Sequence, residues 1–348
     1  MKADMDKNSN NQISKKRKII FSIISIIIAF IFIFMIGELL LRIFFPQEYM
    51  YPRWKFSPKY GAVLFDNCKM IHACPGRWKF IYKINEYHYR GKLIPISNVY
   101  DKKNIIILGD SYSFGHGVND RDEYSAVIAN KLKYNYNIIN LSTGGWGLTQ
   151  QIRRYYEFGQ LYFPKIVLLQ FCDNDLDDNF VNMVTTIEKG KFKFQNSKNT
   201  SNWIKKYLSR SIIQKSQIYN LFRDAAYQFF ARRIAKKEKL NYQKKNSYDK
   251  KISPKEQFYN ELLELFTKDL DQKGVELIMI SVNRQLEQFP NIKAKVSDLS
   301  SKGLINYYDV IPWFENVSNY GSPEGHLWGK KAHYILGEKL SEIIKKKY

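Results

Sequence analysis

Few folds accommodate a short run of aliphatic residues that stops abruptly at Gly-Asp-Ser. Residues 104–108 read Asn-Ile-Ile-Ile-Leu, and Gly109, Asp110 and Ser111 follow directly. An unbroken apolar run of this length, bounded by glycine, is typical of a central strand in a parallel sheet, which is buried on both faces. Because ligands bind beyond the carboxyl ends of such strands, we expect Ser111 to lie in a crevice.

Ser111 is the first candidate for a chemical role. A helical pattern over residues 124–132 follows it, so the serine is predicted to lie at a strand-to-helix turn. A hydroxyl in that position is exposed and close to unpaired backbone N–H groups, which suits a nucleophile. The alternative is a structural serine that caps a helix. The motif by itself does not decide between these interpretations.

Two further buried-strand patterns end in residues that could stabilise a negatively charged oxygen. Residues 138–150 read IINLSTGGWGLTQ, in which Gly145 could offer a backbone N–H that no side chain blocks. Residues 165–175 read KIVLLQFCDND, in which Asn174 could place its side-chain amide beside the same oxygen. In the structural alternatives, Gly145 only forms a turn and Asn174 only caps a helix.

The segment near the C-terminus supplies a base and an acid. Residues 320–333 read YGSPEGHLWGKKAH, with His326 as the candidate base and Glu324 as the group that orients its other ring nitrogen. Asp309, at the end of a predicted fifth strand, is a competing acid, and His326 could instead be an ordinary surface histidine. The combination of these candidates in one chain favours the functional interpretation.

These segments resemble the signature blocks of the SGNH (GDSL-like) hydrolases, in particular the membrane-anchored bacterial type, over roughly residues 78–345. Ser111 lies in GDSYSFGHGV, Gly145 in NLSTGGWGLTQ, Asn174 in LQFCDNDLDDN and His326 in EGHLWGKKAH. The resemblance implies a flavodoxin-like three-layer α/β/α fold with a parallel sheet, the SGNH hydrolase fold. It also implies that Ser111, Gly145 and Asn174 form an oxyanion hole, and that a carboxylate–His pair completes a triad for attack on an ester carbonyl.

The carboxylate departs from the commonest family pattern. Many members carry Asp three residues before the His, where this chain has Pro323. Anchored and polysaccharide-acetylating relatives carry Asp-x-His instead, and Glu324-Gly-His326 is similar to that motif. The longer glutamate side chain moves the carboxylate by about 1 Å, which affects how firmly it holds the imidazole. Trp328 also departs, since similar proteins often have Asn there. Glu324 is the predicted acid.

The N-terminus predicts a membrane anchor. Residues 19–41 are strongly apolar and long enough to cross the hydrocarbon core of a bilayer, and Lys-Lys-Arg-Lys precedes them at residues 15–18. Under the positive-inside rule, this basic cluster keeps residues 1–18 in the cytoplasm. A cleavable signal peptide is the alternative, but the run is too long for one and lacks a small-x-small cleavage site. We therefore expect a single-pass protein with its catalytic domain in the periplasm or at the cell surface.

The segment that leaves the predicted membrane span carries two charges. Glu38 and Arg42 lie four residues apart in GELLLRIFFP, so on a helix they share one face and could pair at the interface. The string resembles the anchor-exit segment of membrane-bound family members. We interpret it as a positioning device without a catalytic role.

The rest of the chain is predicted to contain a lead-in segment, residues 42–100, and a hydrolase domain, residues 101–348. An insertion at residues 181–255 interrupts that domain, with a polar stretch at 189–202, a basic amphipathic helix at 203–239 and a linker to 251. The helix could be a lid, a glycan platform or a bilayer contact. The favoured prediction is a solvated helix whose apolar stripe packs on the domain. Further patterns predict a helix at 254–273, strands at 275–282 and 306–310, and a last helix to about residue 344.

The net charge of +22, from 55 Lys and Arg against 33 Asp and Glu, raises the question of an anionic partner. No segment matches a nucleic-acid-binding module, so nucleic acid is not predicted. Lipid headgroups or acidic envelope glycans are the favoured anionic partners outside the cytoplasm. A lysine-rich composition without any partner is the alternative.

Three cysteines remain to be placed. Cys68 and Cys74 lie six residues apart in a predicted loop, and an oxidising compartment would allow a disulfide between them. A zinc site with His72 is disfavoured, because a fourth ligand is missing. Cys172 is predicted to pack in the core as a small apolar residue. No metal and no cofactor is predicted.

The predicted function is a membrane-anchored extracytoplasmic serine esterase that acts on acyl esters, in particular O-acetyl esters, through Ser111, His326 and Glu324. An O-acyltransferase that modifies envelope or secreted polysaccharide would use the same residues, because water and a sugar hydroxyl react with the same acyl-enzyme. A non-catalytic anchored scaffold that binds glycans is the second alternative. The expected partners are an acyl-ester substrate, such as an acylated glycan, and the membrane.

Overall fold

The computed structural model describes residues 2–197, 211–245 and 252–347. Its N-terminal part consists of a long helix followed by short antiparallel strands: α1 (Lys2–Phe44), β1 (Tyr49–Tyr51), β2 (Trp54–Ser57), β3 (Gly61–Leu64), β4 (Cys68–Cys74) and β5 (Trp78–Ile84). Strands β1, β4 and β5 form one antiparallel sheet, and β2 pairs with β3 in a hairpin.

The rest of the chain alternates strands and helices. Its elements are β6 (Lys103–Leu108), α2 (Ser111–Phe114), α3 (Tyr124–Lys131), β7 (Tyr136–Asn140), α4 (Leu148–Glu157), β8 (Ile166–Phe171), α5 (Asp175–Val181), β9 (Thr185–Glu188), β10 (Lys191–Phe194), α6 (Gln217–Lys245), α7 (Pro254–Gln272), β11 (Glu276–Ser281), α8 (Pro290–Ser301), β12 (Asn306–Tyr308) and α9 (Lys330–Lys347).

The central sheet has five parallel strands in the order β7-β6-β8-β11-β12. From β6 the chain moves first to one side, to β7, and then crosses to β8 on the other side. This is the strand order of flavodoxin-like folds, in which the crevice between the first and third strands binds ligands. The predicted fold class, a three-layer α/β/α fold with a parallel sheet, is confirmed.

Alternating side chains of β6 build the two halves of the core. Ile105 and Ile107 are fully buried in a cluster with residues of α3 and α9, whereas Ile106 and Leu108 are fully buried in a cluster with residues of α4, α7 and α8. Each such side chain contributes about 1.5–3 kcal/mol on burial. An aliphatic run without polar interruptions is therefore required by the two-sided cover of the sheet.

The predicted elements of the central sheet are confirmed, with ends that shift by one or two residues. The structure adds elements that the patterns did not indicate: α8, the β9–β10 hairpin, and strands β1 to β5 in the lead-in segment. The β10 strand falls within the stretch predicted to be polar and irregular. Residues 198–210 and 246–251, which hold the start of the predicted basic helix and the end of the predicted linker, lie outside the described residues.

The prediction that the apolar stripe of the basic helix packs on the rest of the domain is wrong over the first half of α6. There Phe222 and Phe229 are 69% and 53% exposed, and they do not pack on the hydrolase domain. Only the second half of α6 is buried on the domain, where Ala235 lies in the core and Tyr242 packs against Phe180 of α5.

The N-terminal helix contains one stretch, Lys15–Phe44, that is long and apolar enough to cross a membrane. Its apolar side chains are exposed along its length, with Phe21 and Phe30 among the most exposed. Such a surface agrees with either a membrane anchor or a signal sequence.

The predicted disulfide between Cys68 and Cys74 is wrong. The two residues lie at opposite ends of β4, where six residues of extended chain separate their Cα atoms by about 20 Å, whereas a disulfide needs less than about 7 Å. Each thiol instead donates to a backbone carbonyl, Cys68 to Phe65 at 3.3 Å and Cys74 to Pro46 at 3.4 Å.

We expect all three cysteines to be thiols in the unreduced protein. The purified full chain is unfolded in denaturant and treated with iodoacetamide without prior reduction. Mass spectrometry should then find three alkylated cysteines, the same number as in a sample that is reduced first. A single alkylated cysteine before reduction, rising to three afterwards, would contradict the strand geometry of β4.

Candidate active site

The turn after β6 exposes Ser111 at the first position of α2 and is fixed by its own residues. The buried Asp110 carboxylate accepts a hydrogen bond from Tyr112 N at 2.9 Å, which closes the turn as an Asx motif. Gly109 has no room for a side chain, because a Cβ atom there would lie 2.6 Å from Gln170 Oε1. The shape of the turn therefore accounts for Gly109 and Asp110, which leaves Ser111 free for a chemical role.

Side chains from the neighbouring strands hold this turn in place. Gln170 at the end of β8 accepts hydrogen bonds from Asp110 N at 3.3 Å and Ser113 N at 3.2 Å. Asn140 at the end of β7 donates to Ser113 O at 2.7 Å. The side chains of Asp110, Asn140 and Gln170 are all buried, so their polar atoms depend on partners within the protein.

A buried arginine from the lead-in segment holds the loop that follows α2. Arg90 donates to the carbonyls of Phe114 at 2.9 Å, Gly115 at 2.6 Å and Val118 at 2.7 Å. Its Nε donates to Asp120 at 2.9 Å. The string KINEYHYRG thus supplies a structural clamp beside the candidate nucleophile, a role that the sequence did not indicate.

Ser111, His326 and Glu324 form a continuous chain of hydrogen bonds. The Ser111 hydroxyl and His326 Nε2 are 2.8 Å apart, and the other ring nitrogen of His326 lies 2.8 Å from the Glu324 carboxylate. His326 comes from the loop before α9, 215 residues beyond the serine. These distances suit proton transfer from the serine to the imidazole.

The structure makes room for the longer acid. A Cβ atom at Gly117, whose φ is +76°, would lie 2.3 Å from Glu324 Oε1 and 2.0 Å from Ser322 Oγ. Ser322 Oγ also donates to Gly117 O at 3.0 Å, which joins the two loops. The Glu324 side chain is only 3% exposed. Because residue 117 is glycine, the extra methylene of glutamate fits without moving the histidine away from Ser111.

The Glu324 carboxylate stabilises the protonated form of the His326 imidazole. Burial opposes the imidazolium, but the hydrogen bond and negative charge of Glu324 outweigh burial, so the pKa of His326 is raised above its usual value. Tyr112 packs edge-on against the His326 ring with centroids 4.7 Å apart, and the fully buried Trp328 packs on Tyr112 in turn. Trp328 therefore occupies its unusual position as a support for the base.

A second histidine at the site was missed by sequence reasoning. His116 is buried with its ring centroid 5.4 Å from that of His326, and burial lowers its pKa well below the usual value. A Cβ atom at Gly144 would lie 3.1 Å from the His116 ring and 3.5 Å from Ser111 Cβ. His116 is therefore a neutral wall of the site, and only its place within GDSYSFGHGV signalled it.

Gly145 and Asn174 line one cavity of about 840 Å³ together with residues of α5 and α6. Gly145 has a φ of +73° and open space above its Cα. Asn174 Nδ2 donates to Asp178 at 2.8 Å, and burial raises the pKa of that carboxyl to about 7. An amide nitrogen carries two hydrogens, so Asn174 retains a second donor.

The competing acid, Asp309, is placed elsewhere. Its carboxylate accepts a hydrogen bond from Ile311 N at 2.9 Å within its own turn, and it is exposed. Cys172 is buried at the end of β8, as predicted. Within the described ranges, no three histidine, cysteine or acidic side chains come together in a way that could hold a metal ion.

No protein-family model and no curated protein matches the chain. Among solved structures, it is similar to the psychrotrophic esterase EstA from Pseudoalteromonas sp. (13% identity, 70% of this chain and 98% of that chain, TM-score 0.40). It is also similar to an aryl esterase from M. smegmatis (10% identity, 71% of this chain and 100% of that chain, TM-score 0.39). A third similar structure is the acetyl xylan esterase Est2A from Butyrivibrio proteoclasticus (12% identity, 75% of this chain and 67% of that chain, TM-score 0.38). Because these similarities are low, the functional assignment depends on the geometry of the site.

We expect the raised pKa of His326 to depend on Glu324. In an NMR titration of the histidine ring protons, Glu324→Gln should lower the pKa of His326, because the neutral amide no longer stabilises the imidazolium. His326→Asn identifies the resonance, and Asp309→Asn is the matched control, which should leave the pKa unchanged. A fall in Asp309→Asn but not in Glu324→Gln would make Asp309 the acid.

Proposed function

We propose that the protein is a serine esterase of the SGNH (GDSL-like) type. The observation that carries this proposal is the chain of hydrogen bonds from Ser111 through His326 to Glu324, with 2.8 Å at both contacts of the imidazole. This chain of hydrogen bonds lies beyond the carboxyl end of β6, next to the place where the strand order reverses. That is the expected position of an active site in an open parallel sheet.

In the first step, Ser111 Oγ attacks the carbonyl carbon of an ester while His326 Nε2 accepts the hydroxyl proton. Glu324 stabilises the imidazolium that forms and holds the ring with Nε2 towards the serine. The raised pKa of His326 supports this role, because the proton then stays on the ring until the alcohol leaves. His326 next donates the proton to the leaving alcohol, and an acyl-enzyme remains on Ser111.

In the second step, His326 takes a proton from a water molecule while the water oxygen attacks the acyl carbon. His326 then donates that proton to Ser111 Oγ as the bond between Oγ and the acyl carbon breaks, which releases the carboxylic acid and restores the free serine. Both tetrahedral intermediates carry a negative oxygen. We assign its stabilisation to the backbone N–H groups of Ser111 and Gly145 and to the side-chain amide of Asn174. The open space at Gly145 and the second amide hydrogen of Asn174 support this assignment.

We place the active site outside the cytoplasm, on a domain held by α1 as a single-pass anchor. The apolar stretch of α1 and the basic residues 15–18 before it support this orientation. Acyl esters outside the cytoplasm, with O-acetyl groups on envelope or secreted glycans first among them, are the substrate class that follows from this location.

Ser111→Ala should reduce kcat for p-nitrophenyl acetate by about three orders of magnitude or more, as the loss of a nucleophile does on other folds. The matched control is Ser113→Ala, two residues on, whose hydroxyl bonds to Tyr124 at 2.7 Å and has no place in the reaction. It should lose stability but keep activity within about tenfold of the unaltered chain. Full turnover by Ser111→Ala would refute the assignment.

Product analysis with an oligosaccharide acceptor separates hydrolysis from acyl transfer.

The orientation of the anchor predicts where a C-terminal fusion ends up. Alkaline phosphatase folds only outside the cytoplasm, so a fusion of it after Tyr348 should be active in cells. Green fluorescent protein fused at the same position should be exported unfolded and should therefore not fluoresce. Replacing residues 15–18 by neutral residues should weaken this asymmetry. The reverse pattern of signals would place the active site in the cytoplasm.

A further inference from the structure

The helix α6 begins against the predicted anchor and is capped by it. Glu38 of α1 accepts hydrogen bonds from Gln217 N at 2.9 Å, Ile218 N at 3.2 Å and Ser216 Oγ at 2.9 Å. Arg42 donates to Lys215 O at 3.1 Å and pairs with Glu38. The first N–H groups of a helix lack intrahelical partners, so a carboxylate there stabilises the helix. These contacts join α6 to the end of the span.

An apolar groove of about 590 Å³ continues this contact along both helices. Its walls are Ile218, Leu221 and Phe222 of α6 and, on the side of α1, Phe30, Ile31, Ile33, Phe34, Met35, Gly37 and Leu41. The α1 residues all belong to the segment that could cross a membrane. The start of α6 therefore lies at the depth of the outer part of that span.

One face of α6 changes character along its length. Ile218, Leu221, Phe222, Ala225 and Phe229 recur at spacings of three and four, so they form a single stripe. Phe222 is 69% exposed and Phe229 is 53% exposed.

The same stripe continues with basic residues. Arg232, Lys236 and Lys239 follow at spacings of three and four from Phe229, and these three side chains line the cavity that contains Gly145 and Asn174. At 1.5 Å per residue, Lys236 lies about 21 Å along the helix from Phe222. This distance suits a helix whose apolar part lies among acyl chains while its basic part meets lipid headgroups.

We propose that this face of α6 is a membrane-binding surface, with Phe222 and Phe229 among the acyl chains and Arg232, Lys236 and Lys239 on anionic headgroups. The partner is a bilayer that contains anionic lipid. The apolar stripe is continuous with the span, and the basic residues are complementary to the negative surface of such a bilayer. The inference rests on the proposed anchoring by α1. It places the cavity lined by Gly145 and Asn174 next to the membrane surface.

The test uses the full chain in lipid nanodiscs, with single cysteines labelled by an environment-sensitive fluorophore and quenched by lipids that carry spin labels on their acyl chains. Labels at Phe222→Cys and Phe229→Cys should be blue-shifted and quenched. A label at Tyr134→Cys is the matched control, because Tyr134 is equally aromatic and 80% exposed but lies at the opposite, amino edge of the sheet. It should remain unquenched. The unsubstituted chain gives the labelling background of the native cysteines.

The lipid composition tests the basic half of the surface. Quenching at position 229 should be several-fold stronger in nanodiscs with about one-third phosphatidylglycerol than in pure phosphatidylcholine, and Lys236→Gln with Lys239→Gln should remove this difference. Equal quenching in both lipids would overturn the assignment of the headgroup contact. Water-like labels at 222 and 229 in both lipids would overturn the whole inference.

Failure of the inference is separable from failure of the proposed anchor and activity. A label at Ile28→Cys in the middle of the span reports the anchor directly. Quenching at 28 without quenching at 222 would leave the anchor in place and exclude the surface on α6. Protection of 222 by another copy of the chain instead of lipid would appear as energy transfer between labelled chains in discs that hold two copies, and it would also overturn the inference. None of these measurements depends on ester hydrolysis.

Discussion

The loop that follows Ser111 and α2 depends on the buried guanidinium of Arg90. Its contacts with three backbone carbonyls determine the path of the loop after α2, and the same loop contributes His116 and the glycine that makes room for Glu324. A buried charge persists only with partners, and removing one partner of such a pair costs about 3–5 kcal/mol. Asp120 and Glu123 provide the negative charge, although burial raises the pKa of Glu123 to about 7. The loop beside the proposed triad therefore depends on a residue that lies before the central sheet begins.

This dependence makes the lead-in strands part of the site. Tyr82 of β5 lies under the Arg90 guanidinium at 4.3 Å, and its hydroxyl accepts from Gly117 N at 3.0 Å. His72 of β4 bonds to the same hydroxyl at 2.9 Å and packs beside His116. The short antiparallel sheet thus connects the predicted anchor to the loop that carries His116 and Gly117. A flexible tether between anchor and enzyme would not need these buried polar contacts.

The features that could be predicted from the sequence are those that a local pattern of apolar residues determines. Aliphatic runs indicated the strands of the sheet, and Ser111, Gly145 and Asn174 each follow one of those strands. Because the carboxyl ends of parallel strands meet at one edge of the sheet, these three residues were expected to lie near one another. Contacts between distant segments were not predictable in this way: the role of Arg90 comes from carbonyls 24 to 28 residues away, and the cap at the start of α6 comes from a helix more than 170 residues earlier. The disulfide was predicted from spacing alone, and spacing does not reveal that Cys68 and Cys74 end one extended strand.

Glu324, the proposed acid of the triad, illustrates how contacts between distant segments alter what a local motif can do. In a loop with Pro323 before it and Gly325 after it, a carboxylate two residues from the histidine must reach back to Nδ1, and glutamate reaches further than aspartate. The additional length would push the acid into the neighbouring loop, but residue 117 there is glycine and offers the space. Ser322 Oγ then joins the two loops through Gly117 O, so the acid and its cavity are fixed together. The replacement of aspartate by glutamate is therefore compensated within the structure, which argues against a decayed, non-catalytic site.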